Sequence, residues 1–174
     1  MTTTRPGTAF ILLFRGVGGA TQLPTAPLRE ALTEAGFENV ATYINSGNAV
    51  LRSHLSRERV IDAVAEICQD RFGFTKAILA PTLEEWSALI DNNPFPQAAA
   101  TPKCLHAAVL AGKPAVEAVS RLRGFAAAGE GIEVVATWPI CTPRPGSAGR
   151  SSARSLTGAS AWSTPPGTGT PSSS

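Results

Sequence analysis

Arg15-Gly16-Val17-Gly18-Gly19 is the stretch of this chain best suited to chemistry. It follows the apolar run Ala9–Phe14, so it leaves the end of an expected strand, where glycines expose backbone N–H groups. With a guanidinium beside them, such N–H groups suit a small anion. No GK[ST] follows and the next expected helix begins several residues later, which excludes a P-loop. Asn45-Ser46-Gly47-Asn48 is a second candidate, with side-chain donors on a turn. If the two segments share one side of the sheet, Arg15, Gly16, Gly18, Gly19, Asn45, Ser46 and Asn48 form one polar site for a small anionic molecule. The structural alternative is a tight connection and a hairpin turn, since turns select the same residues.

Other reactive side chains form no constellation, and no catalytic residue can be assigned. His54 and His106 lie far apart, with no Cys or carboxylate at ligand spacing, so no metal is expected. Nor does any motif call for a cofactor. Cys68 falls on the apolar stripe of an expected helix and reads as a small core residue rather than a nucleophile. Ser147 in Pro145-Gly146-Ser147-Ala148-Gly149 has the wrong spacing for a nucleophile elbow. Cys68, Cys104 and Cys141 make no CxxC pair and no disulfide framework, as in a reducing compartment. The six-residue run Ala9–Phe14 is too short for a signal core or a membrane span. A cytoplasmic protein is expected, with no membrane partner.

These residues must be positioned by elements that the apolar periodicity outlines. Ala9–Phe14 reads as a buried central strand. Thr25 is the expected N-cap of a helix with Pro27 in its first turn, Leu28, Ala31, Leu32 and Ala35 as its stripe, and Gly36 past its end. Val40–Ile44 and Asn48–Arg52 read as a hairpin about Asn45-Ser46-Gly47. Ser56 caps a second helix, with Leu55 placed to staple onto Val60, a stripe of Val60, Ile61, Val64, Cys68 and Phe72, and Gly73 at its end. Lys76–Ala80 completes a β-α-β-β-α-β order, the split βαβ of ferredoxin-like folds. An antiparallel sheet with both helices on one face follows.

A second α+β subdomain is expected over residues 81–135. Thr82-Leu83-Glu84-Glu85 is a capping box, Trp86, Leu89 and Ile90 mark a buried helix face, and Asn92-Asn93-Pro94 stops that helix. Leu105–Leu110 reads as a strand, Pro114–Leu122 as a helix, and Gly131–Val135 as another strand. Beyond it the chain changes character. Of the 39 residues from Ala136 to Ser174, 26 are Ser, Thr, Pro or Gly, and none is acidic. The formal net charge of +2 hides this break. Residues 1–135 carry 12 basic and 13 acidic side chains, whereas the tail carries only Arg144, Arg150 and Arg154. A near-neutral body offers no footprint for a polyanion. Phe14 and Tyr43 form no RNP-like run either, so nucleic acid is not an expected partner.

Several stretches of the body resemble one family. They are Phe10–Leu13 with Arg15–Gly19, then Leu23-Pro24, Leu28-Arg29, Ala35-Gly36-Phe37, Thr42–Asn48, Arg71-Phe72-Gly73 and Asn93-Pro94-Phe95. Over residues 8–135 the chain is similar to DUF1697, a bacterial family of unknown function. The resemblance implies two small α+β subdomains and supplies no activity. It departs from the family at the 15–19 loop, one residue shorter and lacking an Asn, and at the closing RSKL and NWNT motifs, absent in frame. One base inserted near Val135–Ala136 places Arg150-Ser151-Ser152 over S-K-L and Thr168–Pro171 over N-W-N-T. Residues 136–174 are therefore expected to be out of frame and disordered. Otherwise they are a natural Ser/Thr/Pro/Gly-rich ending.

Three readings of function remain: a small-molecule or anion-binding module, an enzyme of unknown reaction whose site segment is missing, and a frameshifted product without activity.

Overall fold

The computed structural model describes residues 6–43, 48–101, 105–110, 114–124, 126, 130–135 and 138–142. The chain divides into two compact units, Met1–Asp91 and Asn92–Ser174.

In the first unit, β1 (Thr8–Phe14), α1 (Thr25–Glu34), β2 (Glu38–Tyr43), β3 (Asn48–Ser53), α2 (Arg57–Phe72), β4 (Ile78–Leu79) and α3 (Leu83–Asp91) follow one another. The first four strands make one sheet in the order β2-β3-β1-β4, with every pair antiparallel. β1 is interior, as its apolar run implies. Phe10, Leu12 and Phe14 point to one side, where they join Ala49 and Leu51 of β3, Leu28 and Leu32 of α1, and Val60, Val64 and Cys68 of α2 in one core. Both helices therefore cover the same face. Each such Leu or Val, removed from water, contributes about 1.5–3 kcal/mol.

The helices stop where local chemistry stops them. At the end of α1, Gly36 takes φ +87°, its N–H donates to the Thr33 carbonyl at 3.0 Å, and the Phe37 N–H donates to the Leu32 carbonyl at 3.2 Å. That paired reversal needs a residue free to adopt positive φ. Ser56 accepts the Arg59 N–H at 3.4 Å to start α2, and the Gly73 N–H reaches the Gln69 carbonyl at 3.0 Å to end it. The capping box at α3 forms in both directions. The Thr82 N–H donates to Glu85 Oε2 at 2.8 Å and the Glu85 N–H to Thr82 Oγ1 at 3.2 Å.

Several expectations are corrected. Helix α1 begins at Thr25 with Pro24 as its cap residue, so Thr25 is the first helical residue and no side chain caps the end. Leu55 and Ile90, expected to pack inward, are exposed, Ile90 by 63%. In α3 only Leu89 is buried. The β4 ladder runs past its two-residue core: Arg15 donates to Ala77 and Ile11 to Pro81, and Phe10 bridges Thr82. This pairing carries the chain directly into α3, and so the first unit extends to Asp91 rather than ending at residue 80.

The second unit holds β5 (His106–Ala107), α4 (Val116–Gly124), β6 (Gly131–Val135) and β7 (Trp138–Thr142). Its sheet runs β5-β7-β6, again antiparallel. β5 is shorter than the expected Leu105–Leu110, and α4 is shifted two residues on from Pro114–Leu122. Leu122 packs against Ile132, with Ala126 and Val134 beside them. The largest correction is β7. Trp138–Thr142 was expected to lie in a patternless tail, yet it pairs with all of β6 from Val135↔Trp138 to Gly131↔Thr142. Trp138 and Ile140 are buried. Trp138 and Ile140, two residues apart and both buried, suffice for one strand even within a Pro-rich composition. The rest of the tail, residues 143–174, lies outside the described residues.

Candidate functional site

The loop after β1 is built by two glycines. Gly16 and Gly19 adopt φ +66° and +57°, and a side chain at either would meet open space, so the requirement is for backbone conformation rather than room. The Gly18 carbonyl accepts both the Thr21 N–H at 3.1 Å and the Thr21 hydroxyl at 3.0 Å, pinning the short 3₁₀ turn Gly19–Thr21. Among the described residues, the N–H groups of Gly16, Val17 and Gly18 meet no acceptor. Val17 packs toward the core, while Arg15, Gly16, Gly18 and Gly19 are exposed.

The strand registers decide whether the second candidate segment is near. Leu12 faces Ala49 across the β1–β3 ladder, so Asn48 stands one step further along, level with Leu13. Tyr43 is the partner of Asn48 in β2. Arg15 continues the β1–β4 ladder through its N–H to the Ala77 carbonyl at 2.9 Å. The 15–19 loop and the start of β3 therefore lie at the same end of one sheet. Asn45 and Ser46 belong to the β2–β3 connection and fall outside the described residues. Thr42 Oγ1 donates to the Thr25 carbonyl at 2.9 Å, tying the first turn of α1 to this end.

Side-chain alternation then sorts what faces where. Phe14 is buried on the helix-covered side, so Leu13 points to the opposite face. Ala49 and Leu51 are buried, whereas Val50 between them is 43% exposed. Tyr43 is 72% exposed. The open face thus carries Tyr43, Asn48 and Val50, and the exposed Arg15 follows β1 at the same end of the sheet. Sequence reasoning missed Tyr43 and Val50 as site residues. An apolar Ala-Val-Leu run does not reveal which of its members turns outward.

Another polar cluster, also unforeseen, proves structural. Arg57 Nη2 donates to both carboxylate oxygens of Glu85 at 2.8 Å. Burial pushes the Glu85 carboxyl up, but the Arg57 guanidinium and the Thr82 N–H outweigh it and hold the group below its ordinary range. The pair joins α2 to α3 across 28 residues of sequence, a separation no local pattern signals. Cys68 is core, as expected: burial pushes its thiol up to about 11, so at neutral pH it is no nucleophile. Among the described residues, no three His, Cys, Asp or Glu side chains gather as a metal site requires. No helix among them is long and apolar enough to cross a membrane.

A family described as protein of unknown function, DUF1697, matches residues 8–137, three-quarters of the chain. The chain belongs to the DUF1697 family. Its fold is similar to that of the conserved bacterial protein SP0830 from Streptococcus pneumoniae, with a TM-score of 0.66 at 21% identity. That likeness covers 80% of this chain and 78% of the other, and concerns the fold alone. No curated protein matches the chain. The matched range includes the Arg15–Gly19 loop and the Thr42–Asn48 stretch, and the family assigns them no task.

Proposed function

We propose that this DUF1697 chain is a small-anion-binding module of ferredoxin-like architecture working in a bacterial cytoplasm. Arg15, Gly16, Gly18 and Gly19 hold the anion, and Asn48 borders it; the expected partners Asn45 and Ser46 lie outside the described residues. One observation carries the reading: an exposed guanidinium and a glycine loop whose N–H groups meet no backbone acceptor among the described residues lie at the same sheet end as Asn48. Oriented N–H groups beside a cation are the ordinary means of holding phosphate or carboxylate. Three cysteines with no CxxC pair and no disulfide framework support the location.

A thermal-shift titration tests it. Millimolar phosphate or sulfate should raise the melting temperature, and Arg15→Ala should abolish the rise. An unchanged melting temperature in the native chain would leave the loop as a plain connection.

A second reading is favoured by a separate observation. The family match ends at residue 137, where the acid-free composition begins. It supports a loss of reading frame near Val135–Ala136, with residues 136–174 replacing the family's closing segment. On this reading the product lacks activity, or is an enzyme deprived of its site segment. Resequencing the DNA over the codons of Val134 to Trp138 decides it, since an unaltered frame there removes the proposal.

A further inference from the structure

The open face beside the anion loop has a composition that the loop alone does not explain. Tyr43 and Val50 are both large, apolar and exposed. They sit on adjacent antiparallel strands, Tyr43 opposite Asn48 and Val50 opposite Ala41. Tyr43 and Val50 are thus diagonal neighbours on one face, close enough for an aromatic ring to span. Asn48, directly opposite Tyr43 and two residues before Val50 on β3, offers one acceptor and two donors. Arg15 lies two strand spacings from β2, about 10 Å away.

We propose that the ligand of this site is a nucleoside monophosphate, with its base on Tyr43 and Val50, its base edge at Asn48 and its phosphate at Arg15 and the glycine loop. The proposal rests on the anion-binding reading and extends it to the ligand's other end. A phosphate alone leaves the apolar platform uncovered, and an apolar ring alone leaves the guanidinium without a role. A planar ring joined to a phosphate by a sugar uses both ends. Aromatic side chains stack bases with little regard to sequence, and Asn edges select among them.

Tyr43 is the sole tyrosine of the chain, so 3-fluorotyrosine labelling yields a single fluorine resonance that reports on the platform. The full-length chain is titrated with AMP, adenosine and inorganic phosphate, as the native sequence and as Tyr43→Ala and Arg15→Ala. AMP should bind about tenfold more tightly than inorganic phosphate and move the fluorine line, whereas phosphate leaves the line in place. Tyr43→Ala, at an exposed position that folding does not need, should erase the preference of AMP over phosphate and keep phosphate binding. Arg15→Ala should erase the preference of AMP over adenosine. If phosphate binds through Arg15 but AMP binds no better, or binds without moving the line, the nucleotide proposal is overturned and the anion reading stands. If neither AMP nor phosphate binds, both fall together.

Discussion

The two units close their cores by different means. In the first, β1 and β3, α1, α2 and β4 all contribute to one buried cluster. Each of its three long helices is finished by hydrogen bonds between residues near in sequence: the Gly36 reversal, the Ser56 cap and the Thr82–Glu85 box. In the second unit one described cluster is Leu122 and Ile132 with Ala126 and Val134, and Trp138 and Ile140 of β7 are also buried. Its one described ion pair, Arg123 with Glu133 at 2.6 Å, is about half exposed and adds little. The contrast teaches where function can be lodged. A unit with local closures and a deep core tolerates an exposed cationic loop and an uncovered apolar face. A three-stranded sheet held by one hairpin has little stability to spare.

The largest expected effect would break or confirm this contrast directly. Leu12→Ala should destabilise the first unit by about 2–5 kcal/mol in urea denaturation, because its cavity lies among well-fixed neighbours. Leu122→Ala should remove amide protection from Ile132 and Val134 while leaving Leu51 unchanged. Equal loss of protection at Leu51 would show that the two units unfold as one.

A smaller effect sharpens the role of local closures. Gly36→Ala should cost about 1 kcal/mol. Nothing lies within 4 Å of the added carbon, so the cost is conformational. Gly124→Ala, at the end of α4 and at no positive φ, should have the opposite sign and stabilise its helix by about 0.5–1 kcal/mol. Two losses of similar size would mean that glycine closes both units alike.

The smallest effect concerns pH. The folded Glu85 carboxyl lies below its ordinary value, so its contribution is complete above about pH 4.3 and is lost as pH falls through the folded value. Glu85→Gln should flatten the acid limb of the first unit's stability curve and leave the neutral region nearly level. Because the pair is partly exposed, the change should be modest and smaller in high salt. No change in the acid limb would make the Arg57–Glu85 contact incidental.

What was legible in the sequence follows the same division. The interior place of β1, the stripe of α2 and the capping box depend on residues within one or two turns, and periodicity exposes them. The bulge in β2 was not legible: Asn39 takes φ +51° where the register shifts between Glu38 and Ala41, and only the partner strand reveals it. Ile90 misled because α3 buries Leu89 alone, so a helical stripe overstated what the sheet could cover. β7 was hidden by averaging, since a Pro- and Thr-rich segment can still present Trp138 and Ile140 to one face. At the site, Arg15 and its glycines were evident from type and spacing. Their place at the same sheet end as Asn48 required the β1–β3 register, and the exposed Tyr43 and Val50 required knowing which face the helices leave open.

The central claim is that the first unit carries a built anion site at the end of its sheet. The most direct measurement is a backbone amide NMR titration of the full chain with inorganic phosphate. The account predicts saturable shifts confined to Gly16, Val17, Gly18, Gly19 and Asn48, with the amides of β6 and β7 unmoved, and loss of the response in Arg15→Ala. Shifts that never saturate, that spread equally to β6 and β7, or that persist in Arg15→Ala would contradict it.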